Sequence, residues 1–436
     1  MPKGLNRYLA AASLASLLAM SGGASAMDSY EGSFTSDTGP IKVGIMHSAT
    51  GSMAISERPL KDVMLMLIDE QNKKGGILGR KIEPIVVDPA SSIPKFKSLS
   101  RDLLLMHQAV AVFGCWTSVS RKSVLPIFEE YNGLLFYPVE FEGEESSRNI
   151  IYTGATPNQQ AIPAIDYLIK ELGVKRFVLL GTDYVYPRTI NRIMLAYLKH
   201  LKIPDEDIFV TYRPFSFSDW KDDMEVLRDF SSKGKKTALI STLNGDTNLS
   251  FYQAMHDSGL TAEQLPVMSL SISEEEIASM DHHTMKGHLA AWNYFMTVDT
   301  PENKQFIETF RRFVKDDTRV TNDPMEAHYI AFNLWVKAVE KAGSALPNKV
   351  IENIIGIEVP NLSGGTARLL PSHNITKPVM IGQVQEDGSF RVVWQSKDEV
   401  EGDAWSDYVD GSKHFKADWT PGVNCGQYDT QLDKCL

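Results

Sequence analysis

The sequence predicts an α/β fold of two lobes of similar size, each built on a parallel sheet with helices on both faces. Three observations predict it. From Ile41 onward, short apolar runs alternate with stretches whose apolar residues recur at helical spacing. That alternation completes one round by "GLLFYPV" and begins another after "NIIYTGATP". The loops that follow the apolar runs, where open parallel sheets bind their ligands, are rich in hydroxyls, amides and aromatic rings.

The chain has 436 residues, and the first 26 stand apart from this pattern. Lys3 and Arg7 precede the apolar run "YLAAASLASLLAM", and Ala24-Ser25-Ala26 fits an A-x-A cleavage site. The run is short for a bilayer span, so residues 1–26 are expected to be a signal peptide and the protein exported. No Cys precedes Cys115, which excludes a lipid-modified cysteine at the cleavage point.

In the first round, "IKVGIM" alternates Ile41, Val43 and Ile45 as a strand. Leu60, Val63, Met64, Leu67 and Ile68 then form a helical stripe that faces a sheet. Strand "KIEPIVVD", helix "KFKSLSRDLLLMHQ", strand "AVAVFG", a helix near Ser120 to Tyr131 and strand "GLLFYPV" complete it. In the second, Ile165, Leu168, Ile169 and Leu172 mark a helix before strand "RFVLLG". Ile190, Ile193, Met194, Tyr197 and Leu201 mark the next helix, and further strands are "DIFVTYRPF", "TALIST", "LPVMSL" and "HLAAWNYF". Ser273 with Glu276 forms a capping box. A long helix runs through "DPMEAHYIAFNLWVKAVEKAG", with Pro324 near its start and Gly343 near its end. "IGQVQEDGSFRVVWQ" reads as a hairpin turning at Asp-Gly. In the polar tail, Cys425 and Cys435 are expected to pair in an oxidising compartment, while Cys115 reads as a small core residue.

Charge and missing motifs exclude several functions. The net charge of −11 becomes −13 once the leader's two cations are removed, a surface that repels nucleic acid and anionic membranes. There is no G-x-x-x-x-G-K-[ST], and "GIMHSATGS" stands where a G-x-G-x-x-G would follow the first strand, so no nucleotide cofactor is expected. His282 and His283 are adjacent, no H-x-x-x-H occurs, and no metal site is expected. An amide hydrolase would need Cys115 beside Lys122 or Arg121 and Glu140 or Glu142, but Lys122 is expected to point at solvent.

"NKKGGILGRKIEPIVVD", between a helix and a strand, resembles the amino-acid and amide receptors of branched-chain-type ABC importers, the type I periplasmic binding proteins. "GCWTS…FYPVEFEGEE" and "GTDYVYPRTIN" narrow the resemblance to the branch of amide sensors and urea or short-chain amide receptors. "STLNGDTNLSFY", "PVMSLSISEEEI", "GHLAAWNYFMTVDTPENKQF" and "TNDPMEAHYIAFNLW" are similar to the urea receptors of that branch. The likeness runs from about Ile41 to Trp394. It implies two Rossmann-like lobes, three interlobe crossovers and closure on a ligand like a hinged clamp, without catalysis or cofactor. It implies residues 41–156 and about 290–355 for the first lobe, 157–289 and about 356–398 for the second, and a tail from 399. Urea or a short amide such as formamide or acetamide is the implied ligand, the periplasm the compartment, and ABC importer membrane subunits the partners. A non-transport amide sensor is the alternative within the same branch.

Carried over residue by residue, the resemblance implies a ligand set of Trp116, Thr117, Ser118, Tyr137, Glu140, Asp183, Tyr184, Asn244, Asp246 and Glu326. Glu140 stands where Gln is more usual in the urea branch, and Trp116 where amide sensors have Tyr. Each also has a plainer reading. Trp116 can plug a core, and Tyr137 and Tyr184 can pack between lobes. Asp183 can cap a helix, Asn244 and Asp246 can serve a turn around Gly245, and Glu326 can stabilise a helix start. Urea offers four N–H donors and one strong acceptor on a flat plate, which suits carboxylates, hydroxyls and aromatic faces.

Overall fold

The computed structural model describes residues 39–417 and the backbone of 428–429 and 434–435. The expected signal peptide and the Cys425–Cys435 pair lie outside the described residues. The first round of strands and helices folds as the alternation requires. β1 (Ile41–Met46) leads to α1 (Ala54–Lys73), then β2 (Ile82–Val87), α2 (Ile93–Arg101) and β3 (Ala111–Gly114). α3 (Ser118–Glu130), β4 (Leu135–Tyr137) and β5 (Ile150–Tyr152) follow. The strands pair in parallel in the order β2-β1-β3-β4-β5. All five stripe residues of α1, Leu60 to Ile68, are buried in the first core. Gly114 ends β3 with no room for a side chain, since a Cβ there would sit 2.5 Å from the Met46 carbonyl oxygen.

The second round begins at α4 (Ala161–Lys170) and continues through β6 (Arg176–Thr182), α5 (Val185–His200) and β7 (Ile208–Arg213). α6 (Lys221–Ser231), β8 (Thr237–Thr242) and α7 (Thr247–Asp257) come next, before β9 (Val267–Ser269), α8 (Glu274–Ala278) and β10 (Leu289–Trp292). The chain then returns to the first core with α9 (Pro301–Val314), α10 (Asp323–Ala342) and α11 (Pro347–Ile354). Two short strands, β11 (Glu358–Pro360) and β12 (Thr366–Arg368), and the pairing segment β13 (Thr376–Lys377) stay on that side. β14 (Met380–Val384) and β15 (Phe390–Gln395) are the expected hairpin, turning at Asp387-Gly388 with Gly388 at φ +79°. They join the second sheet, whose order is β15-β14-β10-β9-β8-β6-β7.

The lobe boundaries differ from the expected ones. β10 is bonded to β9 on one side and β14 on the other, so residues 289–292 belong to the second sheet. Val359, Leu362, Ala367, Leu369 and Ile375 insert into the first core, so most of 356–377 belongs to the first lobe. The chain therefore crosses between Tyr152 and Ala161, between Trp292 and Pro301, and between Lys377 and Met380. Gln159, Asn293 and Pro378 tie the three crossovers together. Asn293 donates its side-chain amide to the carbonyls of Gln159 and Pro378, at 3.0 and 2.7 Å, and Gln159 donates to that of Ile375 at 2.8 Å. Among the described residues, no helix is long and apolar enough to cross a membrane.

Candidate ligand-binding site

The loops after the strands of the two lobes meet along a seam. Ser56 of α1 donates to Glu276 of α8 at 2.6 Å, and Asn322 donates to Ser273 at 3.1 Å. Arg192 of α5 reaches both carboxylate oxygens of Glu144 at 3.0 and 2.9 Å. Gly245 lies so close to α1 that a Cβ would stand 2.9 Å from the Ser52 carbonyl oxygen. At its φ of +63°, only a residue without a side chain fits that turn easily.

On the first-lobe side the site starts at Cys115, whose φ of +67° turns the chain sharply off β3. Trp116 follows, buried, and its carbonyl accepts from the Tyr137 hydroxyl at 2.5 Å. Thr117 caps α3 by accepting from the Ser120 N–H, as its position before a helix favours. Ser118 donates to Glu142 at 2.5 Å and accepts from Arg121 at 3.1 Å. Arg121, one turn along α3, is fully buried with its guanidinium 4.7 and 4.9 Å from the rings of Tyr137 and Phe141. It also donates to Glu145 at 2.8 Å and to Glu142 at 3.2 Å. Lys122 meets Glu145 at 2.5 Å. Burial alone would raise the Glu145 carboxyl, but Arg121 and Lys122 hold it well below the usual carboxylate range. Two cations against two anions leave this network neutral.

That network corrects one expectation. Lys122 does not point at solvent; its side chain is 11% exposed and engaged by Glu142 and Glu145. Cys115 is buried and its thiol is pushed up by burial, with Glu57 adding to the effect. A thiol held protonated and a lysine held by carboxylates do not form a nucleophile and its base.

Glu140 is the group the network leaves over. Its segment lies against the first crossover, with the Phe141 N–H donating to the Ala155 carbonyl at 3.0 Å. Gly154 permits that approach, since a Cβ would stand 2.0 Å from the Val139 carbonyl. The Glu140 side chain is 4% exposed, and its Oε2 has no hydrogen-bond partner among the described residues. Burial pushes its carboxyl well above the usual range, with Asp323 and Glu276 adding to the rise.

From the second lobe, Tyr184 and Tyr186 bring the α5 start to the same place. Both are buried, with ring centroids 6.3 Å apart, and Phe215 packs on Tyr184 at 4.9 Å. Burial raises both hydroxyls far above the ordinary tyrosine value. Tyr137 and Glu140 then add to the rise at Tyr184, and Glu140 adds to it at Tyr186. The Tyr186 hydroxyl has no partner among the described residues.

Trp116, Thr117, Ser118, Tyr137, Glu140 and Tyr184 thus sit in one cluster, and four of the expected residues do not join it. Asp183 is exposed and paired with Arg188 at 2.5 Å. Asp246 is exposed and accepts from the Ser216 hydroxyl. Asn244 is buried, but its side chain donates to the Thr242 carbonyl at 3.1 Å. Glu326 lies at the hinge, accepting from the Leu362 N–H at 3.0 Å and standing 3.7 Å from Lys377. Burial, reinforced by Asp323, pushes its carboxyl up to about 8 despite Lys377. Reading strand-end loops marks Tyr186 as a cleft aromatic but leaves it, with Arg121, Glu142 and Glu145, out of the expected ligand set. The signal was present: Ser118 and Arg121 share a helix face, and three of the four residues of "EGEE" are carboxylates.

The comparisons with known proteins agree with this architecture. A family model described as "Periplasmic binding protein domain" matches residues 41–411. The Leu/Ile/Val-binding protein homolog 6 of Brucella melitensis is 21% identical, over 80% of this chain and 89% of that protein. The leucine-, isoleucine-, valine-, threonine-, and alanine-binding protein of Pseudomonas aeruginosa is 25% identical, over 73% of this chain and 83% of that protein. Among solved structures, a solute binding protein of an ABC transporter from Rhodopseudomonas palustris, in complex with p-hydroxybenzoic acid, superposes with a TM-score of 0.74. It is 21% identical, over 83% of this chain and 98% of that one.

Proposed function

The chain belongs to the periplasmic binding protein family, whose members bind solutes for ABC importers and are not enzymes, and on that premise we propose that this one captures urea. We read residues 1–26 as the leader that sends it to the periplasm.

The observation that carries the urea reading is the unpartnered Glu140 Oε2, buried within electrostatic reach of Tyr186, whose hydroxyl is also unpartnered. A buried polar oxygen without a hydrogen-bond partner is costly, and a ligand that both donates N–H groups and accepts from a hydroxyl satisfies this pair. Urea supplies four, and its carbonyl takes a hydroxyl donor from Tyr184 or Tyr186, or from Glu140 in its protonated form. The ligand set in this reading is Tyr137, Glu140, Tyr184 and Tyr186, walled by Trp116, Thr117 and Ser118. Asp183, Asn244, Asp246 and Glu326 serve loops and hinge. Formamide and acetamide offer fewer donors and are weaker ligands of the same site.

A second reading, an aromatic or amino acid, is favoured by the ligands named for the relatives. Its carboxylate needs a free cation or donors. Arg121, Lys122 and Arg192 are each held by carboxylates, so none of them is free to pair with it. At best about −1.5 kcal/mol per non-hydrogen atom, urea reaches roughly −6 kcal/mol, a dissociation constant of tens of micromolar.

The test is calorimetric titration with urea of wild type, Glu140→Ala and Tyr186→Phe. Glu140→Ala is expected to bind at least tenfold more weakly and Tyr186→Phe several-fold more weakly, with unchanged circular dichroism. Wild-type affinity in both variants removes this ligand set.

A further inference from the structure

A cavity of about 200 Å³ lies beside α8 and is lined by none of the residues of the interlobe cluster. Its lining comes from α8 and the turn after it, from the segments on either side of α9, and from the start of β15. The walls are mainly apolar, made by Ile277, Met296, Val320 and Phe390. Its size suits a molecule smaller than a typical drug, whose pockets start at about 300 Å³.

Glu274 lines this cavity and is not accounted for by the fold. It is 5% exposed; its Oε1 accepts from the Met296 N–H at 2.7 Å, and its Oε2 has no hydrogen-bond partner among the described residues. The next two glutamates are engaged elsewhere. Glu276 closes the capping box and receives Ser56, and Glu275 approaches Arg319 at 3.6 Å. Burial pushes the Glu274 carboxyl up to about 8, the response of an acid held in an apolar recess without a counter-charge. Asp387 stands at the exposed edge, its carboxylate held ionised by the Ser389 hydroxyl and N–H. A carboxyl at depth and apolar walls, with Asp387 beside His282 at the mouth, match a molecule with a cationic, N–H-donating end and an apolar body.

We propose that this cavity is a second ligand site, which takes a small organic cation, an amine or amidinium on a compact apolar body, with Glu274 as its anchor. The site is separate from the urea reading and stands or falls without it. An arriving cation pairs with the Glu274 carboxylate, the carboxyl proton passes to solvent, and the apolar body leaves water against Ile277 and Phe390.

Benzamidine and n-butylamine are the probes, titrated calorimetrically into the full chain. At least one is expected to saturate a single site on wild type. Glu274→Gln keeps the acceptor for the Met296 N–H but removes the charge, and is expected to weaken binding at least tenfold. Ala278→Phe fills the exposed rim without touching a core, and is expected to abolish it with an unchanged melting temperature. Absence of saturation by both probes overturns the proposal, and so does equal binding by wild type and both variants.

Discussion

Arg121 shows how much of the site is decided by single residues. It is a fully buried guanidinium whose hydrogen bonds reach Ser118, Glu142 and Glu145 while three aromatic rings surround it. Removing one partner from such a set leaves buried carboxylates without compensation, which costs about 3–5 kcal/mol. Arg121→Met is therefore expected to lose that much stability in guanidinium chloride unfolding. A loss below about 1 kcal/mol would mean that Glu142 and Glu145 are relieved by water or protons instead. Residues of this kind were the least legible in the sequence. Strand-end position tells which loop a side chain occupies, but the turn of one dihedral decides whether it faces cleft or solvent. Tyr184 turns inward and its neighbour Asp183 outward to Arg188. The burial of Trp116, Tyr137 and Glu140 was legible because each lies at or just beyond the end of a fully buried strand, with little freedom to point elsewhere.

At the scale of elements, alternation of apolar runs and helical stripes located the strands and helices well, and assigned them to sheets less well. Which sheet a strand joins depends on pairing far along the chain. β10 was placed near a lobe boundary by order alone, whereas its partners are β9 and β14. His288, just before β10, supports this join: its Nδ1 accepts from the Val267 N–H at 3.0 Å. Burial lowers its pKa to about 4, against 6.5 ordinarily. Between those values the unfolded chain binds more protons than the folded one, so stability falls as pH drops from 6.5 towards 4 and is fully present above 6.5. The contribution is on the order of 3 kcal/mol. His288→Gln is expected to flatten that part of the stability–pH curve. Parallel curves for wild type and variant would show that the ring is not held neutral in the folded state.

At the scale of the whole molecule, polar contacts between side chains span the seam. Arg192 joins α5 to Glu144, a residue that also carries the C-terminal segment through hydrogen bonds with Ala404 and Ala417. Ala404 lies in the first core and Ala417 in the second, so this segment spans both lobes. Arg192→Gln is expected to shift the free protein towards open forms, raising its radius of gyration in X-ray scattering and weakening ligand several-fold. Arg188→Gln, at the exposed pair with Asp183, is the control that leaves both unchanged. An Arg192 variant that scatters and binds like wild type would show that the latch contributes nothing to closure.

The central claim is that the cleft reads N–H donors rather than a carboxylate. Calorimetric titration of the protein with urea, leucine and 4-hydroxybenzoate tests it most directly. The account expects saturable one-to-one binding of urea and no heat from the other two. Saturable binding of leucine or 4-hydroxybenzoate with silent urea would contradict it.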